Sequence, residues 1–118
     1  MRKIYILDGD RLFSECLKIY LQGRFFVRYF PNPFEIMTGI EEEIPDLIIS
    51  EANLPGASVF SLLNELISYP DTAIIPIIIL SDTKFPERDL KDYNIKVILK
   101  KEKLKPEEIV YYAERYTR

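Results

Sequence analysis

Ile4-Tyr5-Ile6-Leu7 is an apolar run without polar alternation, closed by Asp8-Gly9-Asp10. A strand buried on both faces has this pattern, so the run predicts such a strand followed by a turn. From Arg11 the period becomes helical: Leu12, Phe13, Cys16, Leu17, Ile19, Tyr20 and Leu21 recur up to Gly23, a natural stop. The spacing makes Cys16 a small core-facing residue. Phe25 to Phe30 reads as a second strand, Phe34 to Ile40 as a short helix with Glu41-Glu42-Glu43 as its solvated end, and Leu47-Ile48-Ile49 as a third strand running to Ser50-Glu51. Asn53-Leu54-Pro55-Gly56 is a turn-forming loop. Ser58 is the expected N-cap of a helix carrying Phe60, Leu62, Leu63, Leu66 and Ile67, broken at Pro70-Asp71. Ile74 to Leu80 is the most apolar stretch, a central strand ending at Ser81-Asp82. A short helix is expected within Lys84 to Tyr93, a fifth strand at Lys96 to Leu99, and a last helix opened by Lys105-Pro106-Glu107-Glu108, with Ile109, Val110, Tyr112 and Ala113 inward.

Five short unbroken strands alternating with about five helices predict an α/β fold with a parallel sheet covered on both faces. Right-handed crossovers leave few arrangements, of which the flavodoxin-like, doubly wound order 2-1-3-4-5 is the common five-stranded one. Without repeat, low-complexity tract or linker, residues 1–118 are expected to form one domain with no output module.

Composition narrows the chemistry. At 47% hydrophobic and 30% charged residues the chain is that of a globular protein, and 16 basic against 19 acidic residues offer no excess for a nucleic-acid-binding face. Histidine is absent, which removes the usual general base, zinc ligand and phosphohistidine chemistry. Cys16 stands alone, so no disulfide framework is available. The N-terminal apolar run is too short for a signal peptide or membrane span, and a cytoplasmic location is the default. Of the aromatics on the last helix, Tyr112 and Tyr116 are expected to pack and Tyr111 to reach solvent.

In open α/β sheets the functional crevice lies beyond the carboxyl ends of the strands. Asp8, Glu51, Ser81 and Lys100 follow or end the first, third, fourth and fifth strands, so two carboxylates, a hydroxyl and an amine are expected to converge there. Any one of them alone is an ordinary turn residue or cap.

These residues, with the stretch Pro45-Asp46-Leu47-Ile48-Ile49-Ser50-Glu51-Ala52-Asn53-Leu54-Pro55-Gly56, resemble response-regulator receiver domains of the chemotaxis-regulator type over essentially the whole chain. The resemblance implies a phospho-accepting aspartate ending the third strand, two acids after the first strand that help hold Mg²⁺, and a Ser or Thr and a Lys that contact the phosphoryl group. Asp8, Ser81 and Lys100 fit that pattern. Four departures mark a degenerate, pseudo-receiver site. Glu51 stands at the phospho-acceptor position, where its extra methylene moves the carboxylate out of near-attack geometry; it either mimics a phosphoryl charge or forms a static pair with Lys100. Gly9 replaces the second acid, which weakens Mg²⁺ binding; Asp10 either substitutes or caps the first helix, and Asp82 faces the rim or water. Lys101 follows Lys100 where the family has a cis-proline, so that peptide is expected trans. Val97 takes the place of an aromatic switch residue, and the segment from Ser81 to Lys100 is about three residues short.

The expected acidic pocket is Asp8, Asp10, Glu51 and Asn53, with no cofactor or weak Mg²⁺ at Asp8, Glu51 and Asn53. The expected function is regulatory protein binding without enzymatic activity or normal aspartate phosphorylation. Expected partners are a histidine kinase, phosphorelay or output protein, with homodimerisation open and no direct nucleic acid or membrane contact. The alternatives are a working response regulator or phosphorelay intermediate with an altered acid, and third, a flavodoxin-like cofactor protein. The acidic turn Asp8-Gly9-Asp10 would repel a cofactor phosphate.

Overall fold

A computed structural model describes residues 1–54, 56–85 and 90–117. The strands β1 (Lys3–Leu7), β2 (Phe26–Phe30), β3 (Leu47–Glu51), β4 (Ile77–Leu80) and β5 (Ile95–Leu99) form one parallel sheet. Their order is β2-β1-β3-β4-β5, the doubly wound arrangement expected from the alternation of elements. The helices among the described residues are α1 (Arg11–Leu21), α2 (Pro33–Glu42), α3 (Val59–Ile67), the single turn α4 (Pro70–Ala73) and α5 (Pro106–Tyr116).

Local chemistry explains where the helices start. Asp10 caps α1 by accepting the Phe13 N–H at 3.1 Å, Asn32 caps α2 through the Glu35 N–H, and Ser58 caps α3 through the Phe60 N–H. Pro33, Pro70 and Pro106 occupy first turns, where a missing N–H costs nothing. The break expected at Pro70-Asp71 holds, since α3 ends at Ile67, and Pro70 then opens a separate single turn of helix. The central strand is also shorter than the apolar run suggests. It begins at Ile77, and Ile74, 74% exposed, lies outside the sheet.

The sheet separates two apolar layers. Tyr5, Leu7, Phe30, Ile48, Ile77 and Ile79 pack beneath α2 and α3 with Ile36, Ile40, Leu62, Leu63 and Leu66. Ile4, Ile6, Leu47, Ile49, Ile78 and Leu80 pack on the other face against Leu17 and Leu21 of α1 and Ile109 and Ala113 of α5. Tyr5 spans its layer to donate from its hydroxyl to the carbonyls of Gly39 and Glu43, anchoring the end of α2.

The β5 edge is less regular. Ile77 pairs with Ile95 but Ile78 pairs with Val97, so Lys96 is an extra residue in a bulge. The bulge reverses strand parity: Ile95 and Ile98 face the α2–α3 layer, while Val97 and Leu99 face the α1–α5 layer. Of the helix expected within 84–93, residues 86–89 lie outside the described residues; Leu90–Asp92 forms a 3₁₀ turn. No helix among the described residues is long and apolar enough to cross a membrane.

Cys16 is exposed, contrary to the core position expected from its spacing. Helix α1 carries more apolar residues than one buried face accommodates; Leu17 and Leu21 take that face, and Leu12, Cys16, Ile19 and Tyr20 are left outward. On α5 the expectation holds: Tyr112 and Tyr116 are partly buried and stacked, and Tyr111 is exposed.

Candidate functional site

Three charged groups meet at the carboxyl end of the sheet. Parallel pairing sets Leu7 beside Ser50 and Glu51 beside Leu80, which brings Asp8 level with Glu51. Both share strand parity with Ile6 and Ile49, so both side chains turn to the α1–α5 side. The ammonium of Lys101 sits between them. Its Nζ lies 2.9 Å from Asp8 Oδ2 and 3.1 Å from Glu51 Oε1, and donates to Asp8 Oδ1 at 3.2 Å.

The amine of this cluster is therefore Lys101, and the expected Lys100 is corrected. Leu99 faces the α1–α5 layer; the next residue points to the opposite side and the one after it returns. Lys100 is exposed, and no ion pair joins it to Glu51 among the described residues. Lys101 opens the 3₁₀ turn Lys101–Lys103, and that turn aims its side chain back over the sheet end. Its ammonium lies 4.5 Å from the centre of the Phe13 ring, adding a cation–π contact from α1. Moving the lysine by one residue moves its neighbours too. The proline position becomes Glu102 and the aromatic position becomes Ile98, so both departures persist. The Lys100–Lys101 peptide is trans, as are all those described.

Asp8 is the most enclosed member, 1% exposed. Its Oδ1 also accepts the Asp10 N–H at 2.7 Å, which fixes the turn into α1, while Oδ2 touches the ammonium without an aligned hydrogen bond. Burial, then hydrogen bonding and charge from Asp8, push the Glu51 carboxyl above its usual range; Lys101 pulls the other way without cancelling this. Burial works against the charge of Lys101, but contacts with Asp8 and Glu51 outweigh it and hold the amine above the ordinary lysine value. Two carboxylates against one ammonium leave the fully ionised cluster at −1.

The other expected residues lie around this core rather than in it. Asp10 is exposed and spent on capping α1. Asn53 is exposed and donates to Thr83 Oγ1 at 3.3 Å. Ser81 is buried, but its hydroxyl donates to the Thr83 carbonyl at 2.7 Å and accepts the Thr83 N–H, a local turn of a kind serine favours. Asp82 accepts the Glu102 N–H at 2.8 Å and so pins the 3₁₀ turn that carries Lys101. Phe13 and Thr83 were not legible as parts of the site, because an aromatic on an amphipathic helix and a threonine in a loop carry no chemical signal of their own.

A divalent cation needs several oxygens at short range, and Mg²⁺ demands near-octahedral geometry. The side-chain oxygens here do not fit it: Gly9 has none, the Asn53 side chain is turned to Thr83, and an ammonium already bridges the two carboxylates.

No protein-family model and no curated protein matches this sequence. Solved structures do. The chemotaxis protein CheY4 of Vibrio cholerae is similar over 98% of both chains at 20% identity, TM-score 0.87. A signal receiver domain of a signal transduction histidine kinase from Syntrophus aciditrophicus covers 99% of this chain, which covers 90% of it, at 23% identity, TM-score 0.85. The N-terminal domain of the nisin resistance regulator NsrR, a lantibiotic response regulator, is similar over 100% of this chain and 99% of its own at 22% identity, TM-score 0.84. The chain has the receiver-domain fold.

Proposed function

We propose that this chain is a two-component-type signalling module, a non-enzymatic receiver-like domain that acts in the cytoplasm by binding a protein partner and is not switched by aspartate phosphorylation. The observation that carries this is the Asp8–Lys101–Glu51 cluster. The position of the expected phospho-acceptor holds a longer acid, and an internal ammonium has the place between the carboxylates. A nucleophile already paired, in a site of fixed depth and without a fitting metal, is poorly poised for in-line attack on phosphorus. A histidine kinase, a phosphorelay protein or an output protein fits as partner. A second copy fits as well, whereas nucleic acid finds no basic excess. Residues 1–118 act as one unit in this reading.

The test is incubation with a small acyl phosphate and millimolar Mg²⁺, followed by intact mass. The unaltered chain is expected to gain no phosphoryl group. Gly9→Asp with Glu51→Asp together should gain a fraction of one, by more than the two single changes combined, since metal and nucleophile act on the same group. Rapid modification of the unaltered chain, equal to that of the double variant, would sink the proposal and establish a working response regulator with an altered acid.

A further inference from the structure

We infer that the cleft between α1 and the start of α5 is a binding site for a small aromatic carboxylate. Its volume is about 170 Å³. Sites for drug- or cofactor-sized molecules run to roughly 300–1,000 Å³, whereas an apolar cavity of about 150 Å³ takes up one benzene-sized ring. Leu17 and Ile109, 2% and 0% exposed, form the floor of the cleft. Phe13 and Leu104, both partly buried, are its apolar sides. Lys101 lines it as well. The ammonium of that residue is committed to Asp8 and Glu51, so its methylene stem is the part free to pack against a ring.

Charge sets the other half of the ligand. Among the described residues, the charged side chains lining the cleft are both lysines, in a chain of net charge −3. Lys105 is exposed at the mouth and enters no ion pair among the described residues. The acids near it in the chain or on the facing helix are engaged elsewhere. Glu108 accepts the Lys105 N–H at 3.2 Å, Glu107 lines the neighbouring groove with Tyr111, and Glu15 pairs with Arg11. A carboxylate carried by the ring therefore meets an ammonium that has no competing partner. The seated ring also touches Phe13 and Lys101, whose cation–π contact at 4.5 Å helps hold the ammonium between Asp8 and Glu51. A small molecule can thus bear on the cluster at the sheet end without any phosphoryl transfer.

This goes beyond the proposed function, and its test involves neither a phosphoryl donor nor a protein partner, so the two can fail separately. The whole chain, labelled with ¹⁵N, is titrated with benzoate and followed by amide chemical shifts. Saturable shifts should be confined to residues 13–20 and 101–109, with a dissociation constant of about 1 mM for so small a ligand. Benzyl alcohol, which lacks the charge, should bind at least about fivefold more weakly, and acetate, which lacks the ring, should not saturate. Lys105→Glu should weaken benzoate at least about tenfold, and Lys105→Arg should keep it within about twofold. Cys16 lies on the rim and is exposed, so Cys16→Phe should fill the cleft and abolish binding while circular dichroism stays unchanged. In the unaltered chain, benzoate should slow alkylation of Cys16 by iodoacetamide in proportion to occupancy. Shifts that are absent or spread over the surface would overturn the inference, as would benzoate binding that survives Cys16→Phe. Equal affinity for benzyl alcohol, or acetate binding as well as benzoate, would equally refute the ligand class.

Discussion

The β1–β3 half of the sheet and its β4–β5 edge are built by the same alternation of elements but to different tolerances. In the first half, strands pair without a slip, α1 and α2 are side-chain-capped, and Tyr5 ties β1 to the end of α2. At the edge, β5 carries a bulge at Lys96, the described crossover contains only a 3₁₀ turn, and β5 is only partly buried. Asp8 and Glu51 come from the regular half, and their direction follows from parity alone. Lys101 comes from the irregular half, and its direction follows from a bulge and a turn. A site assembled from both halves is only as legible as its less regular contributor.

The largest expected effect tests that junction. Lys101→Met removes the ammonium that bridges two carboxylates, one of them 1% exposed, and should destabilise the fold by about 3–5 kcal/mol in urea titration at pH 7. A loss below about 1 kcal/mol would mean that water already screens the cluster. Within the regular half, Gly39→Ala should cost about 1–3 kcal/mol, because a Cβ there meets the Phe30 ring at van der Waals overlap in a packed layer. An unchanged melting temperature would show that this half is looser than its pairing suggests.

Glu51→Gln is a smaller test with a definite sign. A carboxyl whose folded pKa is raised favours folding in its protonated form; that contribution is present below the unfolded value and lost as pH rises through the folded one. A permanently neutral amide keeps it, so Glu51→Gln should raise the melting temperature at pH 7 by roughly 1–3 °C. It should also flatten the decline in stability from about pH 4.5 upward. A lower melting temperature at pH 7 would mean that the Glu51–Lys101 pair outweighs repulsion by Asp8. Lys101, held above the ordinary lysine value, loses its contribution only as pH rises beyond about 10.5, outside that window. The smallest effect sharpens the contrast between adjacent lysines: Lys100→Ala should change stability by less than about 0.5 kcal/mol, as for other exposed positions. A cost comparable to that of Lys101→Met would reverse the assignment of the site lysine.

Periodicity and punctuation by themselves determined the fold class, the five strands, the helix starts at Asp10 and Ser58, and the convergence of Asp8 and Glu51. Those depend on local propensity and on the rule that parallel strands end together. Tertiary structure decided the rest. Which of two consecutive lysines enters the site depends on strand parity, and parity on β5 is reversed by a bulge that no composition signal marks. Which apolar residues of α1 are buried depends on how much of its circumference the sheet covers. The helical period counts Leu12, Cys16 and Ile19 as readily as Leu17 and Leu21, but only packing against β1, β2 and α5 distinguishes the inner set from the outer. Direction within a cluster is a long-range property, set by register across strands that are distant in sequence, and so it became legible only once the chain was folded.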